Sequence, residues 1–151
     1  MSRPEMSGVQ KRTAPVPFIL IVDDSAEARE LYTVCFELHG WKVMSAENGR
    51  AGIDLAAKCG PDAILLDFSM PGMDGAEVLR LLKSDARTSA IPVVMLTAVP
   101  ELAWGAVGSA SSAFLEKPCD PETLVQTMLR VVRPRPGPAE ARATRRTNRH
   151  G

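Results

Sequence analysis

The most constraining feature of the sequence is a set of short apolar runs, each followed directly by a polar or charged residue. Residues 63–66, bounded by Pro61 and the Pro71-Gly72 pair, lead straight into Asp67. Such an unalternating run is typical of a strand buried on both faces of a parallel sheet. Open α/β sheets bind ligands at the carboxyl ends of their strands, which makes Asp67 a candidate site residue. The alternative is that Asp67 merely begins a turn.

Three further runs end in the same way: Phe18–Val22 before Asp23 and Asp24, residues 91–96 before Thr97, and Ala113–Glu116 before Lys117. If these strands are neighbours in one parallel sheet, their end residues converge at one edge. Three carboxylates there would repel one another unless a cation neutralised them. Mg²⁺ is the simplest such cation, because it binds carboxylates while keeping waters and phosphate oxygens as ligands. The hydroxyl of Thr97 and the ammonium of Lys117 would suit the oxygens of a phosphoryl group on Asp67.

Together these motifs resemble the receiver domain of two-component response regulators over about residues 17–132. The matching motifs are Asp23-Asp24, Asp67 followed by Met70-Pro-Gly-Met-Asp-Gly75, Thr97-Ala98, and Phe114-Leu-Glu-Lys117-Pro118. Each is weak alone, whereas all of them in this order and spacing are highly specific.

The resemblance implies a role for each matching residue. Asp67 is then the phosphoacceptor, and the Mg²⁺ ligands are Asp24, Asp67, the Ser69 backbone carbonyl and, through water, Asp23. Thr97 and Phe114 are the switch residues, and Lys117 is the charge partner of the phosphoryl group. The implied donor is a phosphohistidine on a sensor histidine kinase or a histidine phosphotransfer protein, and the implied output is a change in a protein-binding face.

The order of apolar runs and helical patterns predicts five β-α units in a doubly wound α/β fold with right-handed crossovers. The resemblance supplies a flavodoxin-like parallel sheet of five strands in the order 2-1-3-4-5, with five helices. Asp24 and Glu27 resemble a capping box for the first helix. We expect that helix to bury one apolar face, formed by Leu31, Val34, Cys35 and Leu38. For the last helix, capped by Asp120 with Pro121 at its first position, we expect a face of Leu124, Val125, Met128, Leu129 and Val132.

The segment between Thr97 and Lys117 departs from the receiver pattern. Pro100, Gly105 and Gly108 leave at most two helical turns, around residues 101–107, where receivers commonly have a longer helix. Because that helix belongs to the usual output face of receivers, the departure concerns the partner more than the phosphorylation chemistry. The segment is either a specialised interface or a loose loop. Cys119 is either a redox-tuned thiolate or an inert loop cysteine.

Charge is divided unevenly along the chain. Residues 17–132 hold nine Lys and Arg against sixteen Asp and Glu, a net charge of −7, whereas the remaining residues carry +7. The basic segments 1–16 and 133–151, the second rich in Pro and Arg, are predicted to be disordered tails. An arginine-rich tail can bind nucleic acid, but its composition favours a solvated tail and we expect no nucleic-acid partner. With no apolar span and no secretory signal, the sequence predicts a cytoplasmic protein without a membrane partner.

Two other classes of function compete with a phosphoacceptor. A hydrolase of the haloacid-dehalogenase type also uses an Asp nucleophile with Mg²⁺, but it needs a second acid two residues later, where this chain has Ser69. A receiver-like scaffold that binds partners without phosphorylation is the stronger rival. We expect a signalling domain that catalyses only its own phosphorylation and dephosphorylation, not an enzyme that turns over a metabolite. We expect the output to pass to another protein, or else the sequence is a fragment of a longer chain, and a homodimer is a further candidate arrangement.

Overall fold

The computed structural model describes residues 16–132. Apart from Val16, the tails predicted for residues 1–16 and 133–151 lie outside this part of the chain. Its strands are β1 (Phe18–Val22), β2 (Lys42–Ala46), β3 (Ala63–Asp67), β4 (Val93–Thr97) and β5 (Ala113–Glu116). Its α-helices are α1 (Ala26–Glu37), α2 (Gly49–Cys59), α3 (Gly75–Lys83), α4 (Pro100–Val107) and α5 (Pro121–Val131), with a 3₁₀ turn at Gly108–Ala110.

The five described strands form one parallel sheet in the order β2-β1-β3-β4-β5. This order confirms the doubly wound, flavodoxin-like fold. Within residues 16–132, no helix is long and apolar enough to cross a bilayer.

The core lies on both faces of the sheet, because successive strand residues point to opposite sides. Leu20, Ile64 and Leu66 pack with helices α2 and α3 on one face. Ile19 and Leu65 pack with α1 and α5 on the other. Burial of each such side chain contributes about 1.5–3 kcal/mol, which holds the strand ends, and the polar residues after them, in fixed positions.

Helix α1 corrects two expectations. Its N-cap is Ser25, whose hydroxyl oxygen accepts a hydrogen bond from the Ala28 N–H, and not Asp24. The predicted apolar face is wrong for three of its four members, because Leu31, Val34 and Leu38 are 55%, 49% and 80% exposed. The helix instead buries Tyr32, Cys35 and Phe36, and Phe36 stacks on Trp41 at the start of β2. The stripe Leu31, Val34 and Leu38 therefore remains an apolar surface.

The other helices match the sequence patterns more closely. Asp120 caps α5 and Pro121 occupies its first turn, as predicted, although Leu129 is 58% exposed instead of buried. Helix α4 has eight residues, just over two turns, so it is short, as predicted. Ala103 is its single fully buried residue, so α4 is held to the domain by a small contact.

Candidate functional site

Asp23, Asp24 and Asp67 cluster at the carboxyl edge of the sheet. In the parallel pairing of β1 with β3, Val22 lies opposite Leu66, so the residues that follow them emerge side by side. One carboxylate oxygen from each of the three lies within 4.8 Å of the others. Asp23 and Asp67 are buried, whereas Asp24 is exposed. Three converging carboxylates are a donor set that fits a hard divalent cation such as Mg²⁺.

Lys117 reaches Asp67 across β4. Its Nζ donates a hydrogen bond to Asp67 Oδ1 over 2.7 Å, and the two side chains form an ion pair. Strand β4 separates β3 from β5, so the long lysine side chain spans the width of one strand. The following Lys117–Pro118 peptide bond is cis. The structure thus brings Lys117 to Asp67, as the motif spacing indicated.

The environment raises the pKa of both buried carboxyls. Burial has the largest effect on Asp67, and the charge of Asp23 adds to it, while the hydrogen bond from Lys117 acts in the opposite direction. Burial likewise raises the pKa of Asp23, and the hydrogen bond from the Ser25 N–H opposes the rise. The single cation of Lys117 therefore compensates only in part for removing these acids from water.

Asp23 is held in place by contacts that the sequence analysis did not identify. Its Oδ1 accepts the Ser25 N–H at 2.9 Å. Arg29, one turn into α1, donates from Nη1 to the Asp23 backbone carbonyl at 2.8 Å. The sequence signals the contact between Arg29 and Asp23 only through their spacing of six residues. That spacing is not specific, because any helix that follows a strand can produce it.

Thr97 lies at the same edge, at the end of β4 and next to Asp67's strand. Its side chain is buried, and its Oγ1 accepts a hydrogen bond from the Val99 N–H at 3.0 Å. In the parallel pairing of β3 with β4, Asp67 lies opposite Leu96, the residue before Thr97. The hydroxyl is therefore engaged with its own loop in this structure.

Phe114 packs partly buried against the core, and its ring meets Trp104 of α4 edge-on, with centroids 5.5 Å apart. Trp104 is 56% exposed. The contact connects β5 to the helix that the sequence analysis found unusually short. It links a predicted switch residue to the protein surface.

The loop after Asp67 passes close to the backbone of β3. The Gly75 N–H donates to the Phe68 carbonyl at 2.8 Å. A Cβ atom at Gly75 would lie 2.8 Å from the Asp67 carbonyl oxygen and 2.7 Å from the Phe68 Cα, too close for any side chain. This position therefore requires glycine to hold the loop, and Ser69 within it, against the strand end.

An open cleft of about 620 Å³ contains this cluster. The predicted residues that line it are Asp23, Asp24, Asp67, Ser69 and Lys117. Tyr32, Leu31 and Cys119 also line it. Leu31 was predicted only as part of a buried helix face, and Tyr32 was not predicted as a site residue. Burial raises the pKa of the Cys119 thiol, which opposes the reactive thiolate and favours the inert cysteine.

Comparisons of sequence and of structure with known proteins both find response regulators. The family model for the response regulator receiver domain matches residues 19–129. Protein PilH of Pseudomonas aeruginosa is 43% identical over 113 residues, covering 73% of this chain and 93% of PilH. The chemotaxis response regulator CheY4 of Vibrio cholerae superposes with a TM-score of 0.72 at 31% identity, covering 78% of this chain and 99% of that chain.

Some relatives are longer proteins. The phosphate regulon transcriptional regulatory protein PhoB of Pseudomonas aeruginosa is 39% identical over 127 residues, which cover 83% of this chain. The alignment spans 55% of PhoB, so this chain matches about half the length of that relative.

Proposed function

The chain belongs to the response regulator receiver domain family, and from this premise we propose that Asp67 accepts a phosphoryl group from a histidine kinase or a histidine phosphotransfer protein. The single observation that carries the proposal is the cluster of Asp23, Asp24 and Asp67 with Lys117 bonded to Asp67. A phosphorylation-independent scaffold has no need of three converging acids and an ion pair to a buried carboxylate. These groups are costly to keep together in a folded protein.

Asp67 supplies the nucleophile. One of its carboxylate oxygens forms the new bond to phosphorus, while the phosphorus–nitrogen bond to the donor histidine breaks and the imidazole leaves. Asp23, Asp24, Asp67 and the Ser69 carbonyl would hold Mg²⁺, which supplies positive charge to the phosphoryl oxygens and orients them. Phosphoryl transfer needs little beyond such positioning and charge stabilisation.

Lys117 and Thr97 act on the product. The ammonium of Lys117 already lies against Asp67 and stays beside the new phosphoryl oxygens as a counter-charge. Thr97 exchanges its local contact with the Val99 N–H for a hydrogen bond to the phosphoryl group. That movement of the β4–α4 loop frees space for Phe114 to turn inward, and the domain changes its protein-binding face.

The exposed stripe of α1 is the surface on which we place the phosphodonor. Leu31 is exposed and also lines the cleft, and Val34 and Leu38 continue the stripe away from it. Contiguous exposed apolar residues of this kind mark interaction sites. A helical donor that packs on the stripe would present its histidine at the mouth of the cleft. Val34→Asp, a change on the stripe away from the cleft, should then slow transfer from a phosphorylated phosphotransfer protein while leaving labelling by acetyl phosphate unchanged.

The direct test is intact-mass spectrometry after incubation with acetyl phosphate or phosphoramidate and Mg²⁺. We expect one phosphoryl adduct on the wild type and none on Asp67→Asn. Asp54→Asn, an exposed acid on α2, is the matched control and should label like the wild type. An unlabelled wild type, under conditions that label another receiver, would reject the phosphoacceptor and favour the scaffold.

A further inference from the structure

Tyr32 is a buried polar group that the proposed chemistry does not yet use. It is the single tyrosine of the chain, it lies on α1, and it lines the same cleft as Asp67. Only 9% of the residue is exposed. Among the residues 16–132 that the structure describes, none forms a hydrogen bond with its hydroxyl. The residue lines the open cleft, so water or a ligand bound in the cleft is left to accept the hydrogen bond that this donor can make.

Tyr32 lines the same cleft as Asp23 and Asp67, and these acids influence its phenol. Burial raises the pKa of Tyr32 to about 12, and the negative charges of Asp23 and Asp67 are the next largest causes. The hydroxyl is therefore always protonated near neutral pH. A neutral donor can enter this acidic cleft without adding to its negative charge.

A phosphoryl group on Asp67 would create the missing acceptor. It adds three strong acceptor oxygens beyond the carboxylate, in the space that the cleft provides. Lys117 is bonded to Asp67 and lies on the β5 side, whereas Tyr32 approaches from α1. We propose that the Tyr32 hydroxyl donates a hydrogen bond to a phosphoryl oxygen on Asp67 and thereby stabilises the phosphorylated state, an inference that rests on the proposed function.

A residue with only a packing role would not need the hydroxyl. The Tyr32 ring packs in the core with neighbours that include Phe36 and Leu124. Phenylalanine would fill the same space and leave no unpaired donor. Tyr32→Phe therefore separates the two roles, because it keeps the ring and removes only the donor.

The experiment measures the affinity for beryllofluoride, an analogue of the aspartyl phosphate, at saturating Mg²⁺. Hydrogen bonds to charged groups are among the stronger ones, so we expect Tyr32→Phe to weaken beryllofluoride binding roughly tenfold. Its thermal midpoint and its Mg²⁺ affinity without beryllofluoride should match the wild type. Cys119→Ala, a change in the same cleft wall, is the control and should bind beryllofluoride normally.

A second readout uses the single tyrosine directly. Labelling at the ring carbon that bears the hydroxyl gives one ¹³C resonance, which should move when beryllofluoride is added to the Mg²⁺-loaded protein. If beryllofluoride fails to bind the wild type, the proposed function itself is wrong. If it binds wild type and Tyr32→Phe equally, or leaves the tyrosine resonance where Mg²⁺ alone puts it, the role of Tyr32 is overturned while the proposed function stands.

Discussion

Lys117 Nζ lies 2.7 Å from Asp67 Oδ1, although the two residues are 50 positions apart in the chain. The Asp67 side chain is 2% exposed and that of Lys117 is 35% exposed, so the pair joins a buried acid to a cation that still touches water. The hydrogen bond from Lys117 opposes the rise in the pKa of Asp67 that burial causes, and so favours the ionised carboxylate. A carboxylate nucleophile must be ionised to attack phosphorus, and the ion pair therefore prepares the proposed chemistry.

Magnesium should stabilise the folded domain. Asp23, Asp24 and Asp67 repel one another without a cation, and an ion that binds only the folded state adds about 2.7 kcal/mol at a hundred times its dissociation constant. Thermal unfolding with Mg²⁺ and with EDTA measures this difference. Asp24→Ala should remove it, and Asp54→Ala should not. If millimolar Mg²⁺ leaves the thermal unfolding midpoint of the wild type unchanged, the result would count against a metal site.

Gly75→Ala should destabilise the domain and disturb the site. The new methyl group would meet the backbone at Asp67 and Phe68, which cannot move aside independently, and overpacking of this kind costs about 1–3 kcal/mol. Denaturant unfolding gives the loss, and the rate of labelling by acetyl phosphate reports the displacement of Asp67.

Gly105→Ala is the control for that substitution. A Cβ atom there has no neighbour within 4 Å, and the position lies in a helix. Alanine should therefore stabilise α4 by about 0.5–1 kcal/mol. Equal losses for the two alanine variants would show that close approach at Gly75 is not the reason for glycine.

Removing the Asp67 charge should help the metal-free protein more as pH rises. The folded pKa of Asp67 lies above its ordinary value, so its contribution to stability is complete below the unfolded pKa, about 3.9, and is lost as pH rises through the folded pKa. In EDTA, the stability of Asp67→Asn relative to wild type should increase between pH 4 and pH 7.

The stability of Asp85→Asn relative to wild type should decrease as pH rises, the opposite of the change expected for Asp67→Asn. Hydrogen bonds from Arg87 hold the pKa of Asp85 below its ordinary value, so wild type gains from Asp85 above the unfolded pKa and loses that gain as pH falls through the folded pKa. Both differences come from urea unfolding at matched pH. A relative stability of Asp67→Asn that falls with pH would mean that the Lys117 pair outweighs burial.

Trp104 should report the switch. Its ring rests edge-on against Phe114, so an inward turn of Phe114 removes that contact and changes the surroundings of the indole. Adding beryllofluoride and Mg²⁺ to a Trp41→Phe variant should alter the emission of Trp104. The control is the converse variant, Trp104→Phe, in which Trp41 is the remaining tryptophan. Trp41 is buried against Phe36 beside β2, so its emission should change little when beryllofluoride is added.

If fluorine resonance shows the adduct while Trp104 emission and amide exchange over residues 98–112 stay constant, this segment is not the switch. The output would then leave the domain by another face. A change in Trp104 emission on adding beryllofluoride would instead identify the short α4 as a specialised element and not a loose loop.

The sequence by itself determined the strands and their acidic ends. Buried parallel strands read as uninterrupted apolar runs, so the bounds of β1 and β5 agree with the runs that predicted them. The positions of Asp23, Asp67 and Lys117 follow, because each comes directly after such a run or ends it. Their meeting at one edge depended on the strand order, which the resemblance supplied and the structure confirmed.

Only the tertiary structure decided which apolar helix residues are buried and which polar groups face the cleft. Helical periodicity places Leu31, Tyr32 and Cys35 within one turn of each other, but it does not state where the sheet lies around the helix axis. That direction comes from the packing of α1 against β1, β2 and α5, which buries Tyr32 and exposes Leu31. The same packing brings the Tyr32 hydroxyl to the acidic cleft, because contacts between distant segments, unlike local periodicity, arise only when the whole sheet has assembled.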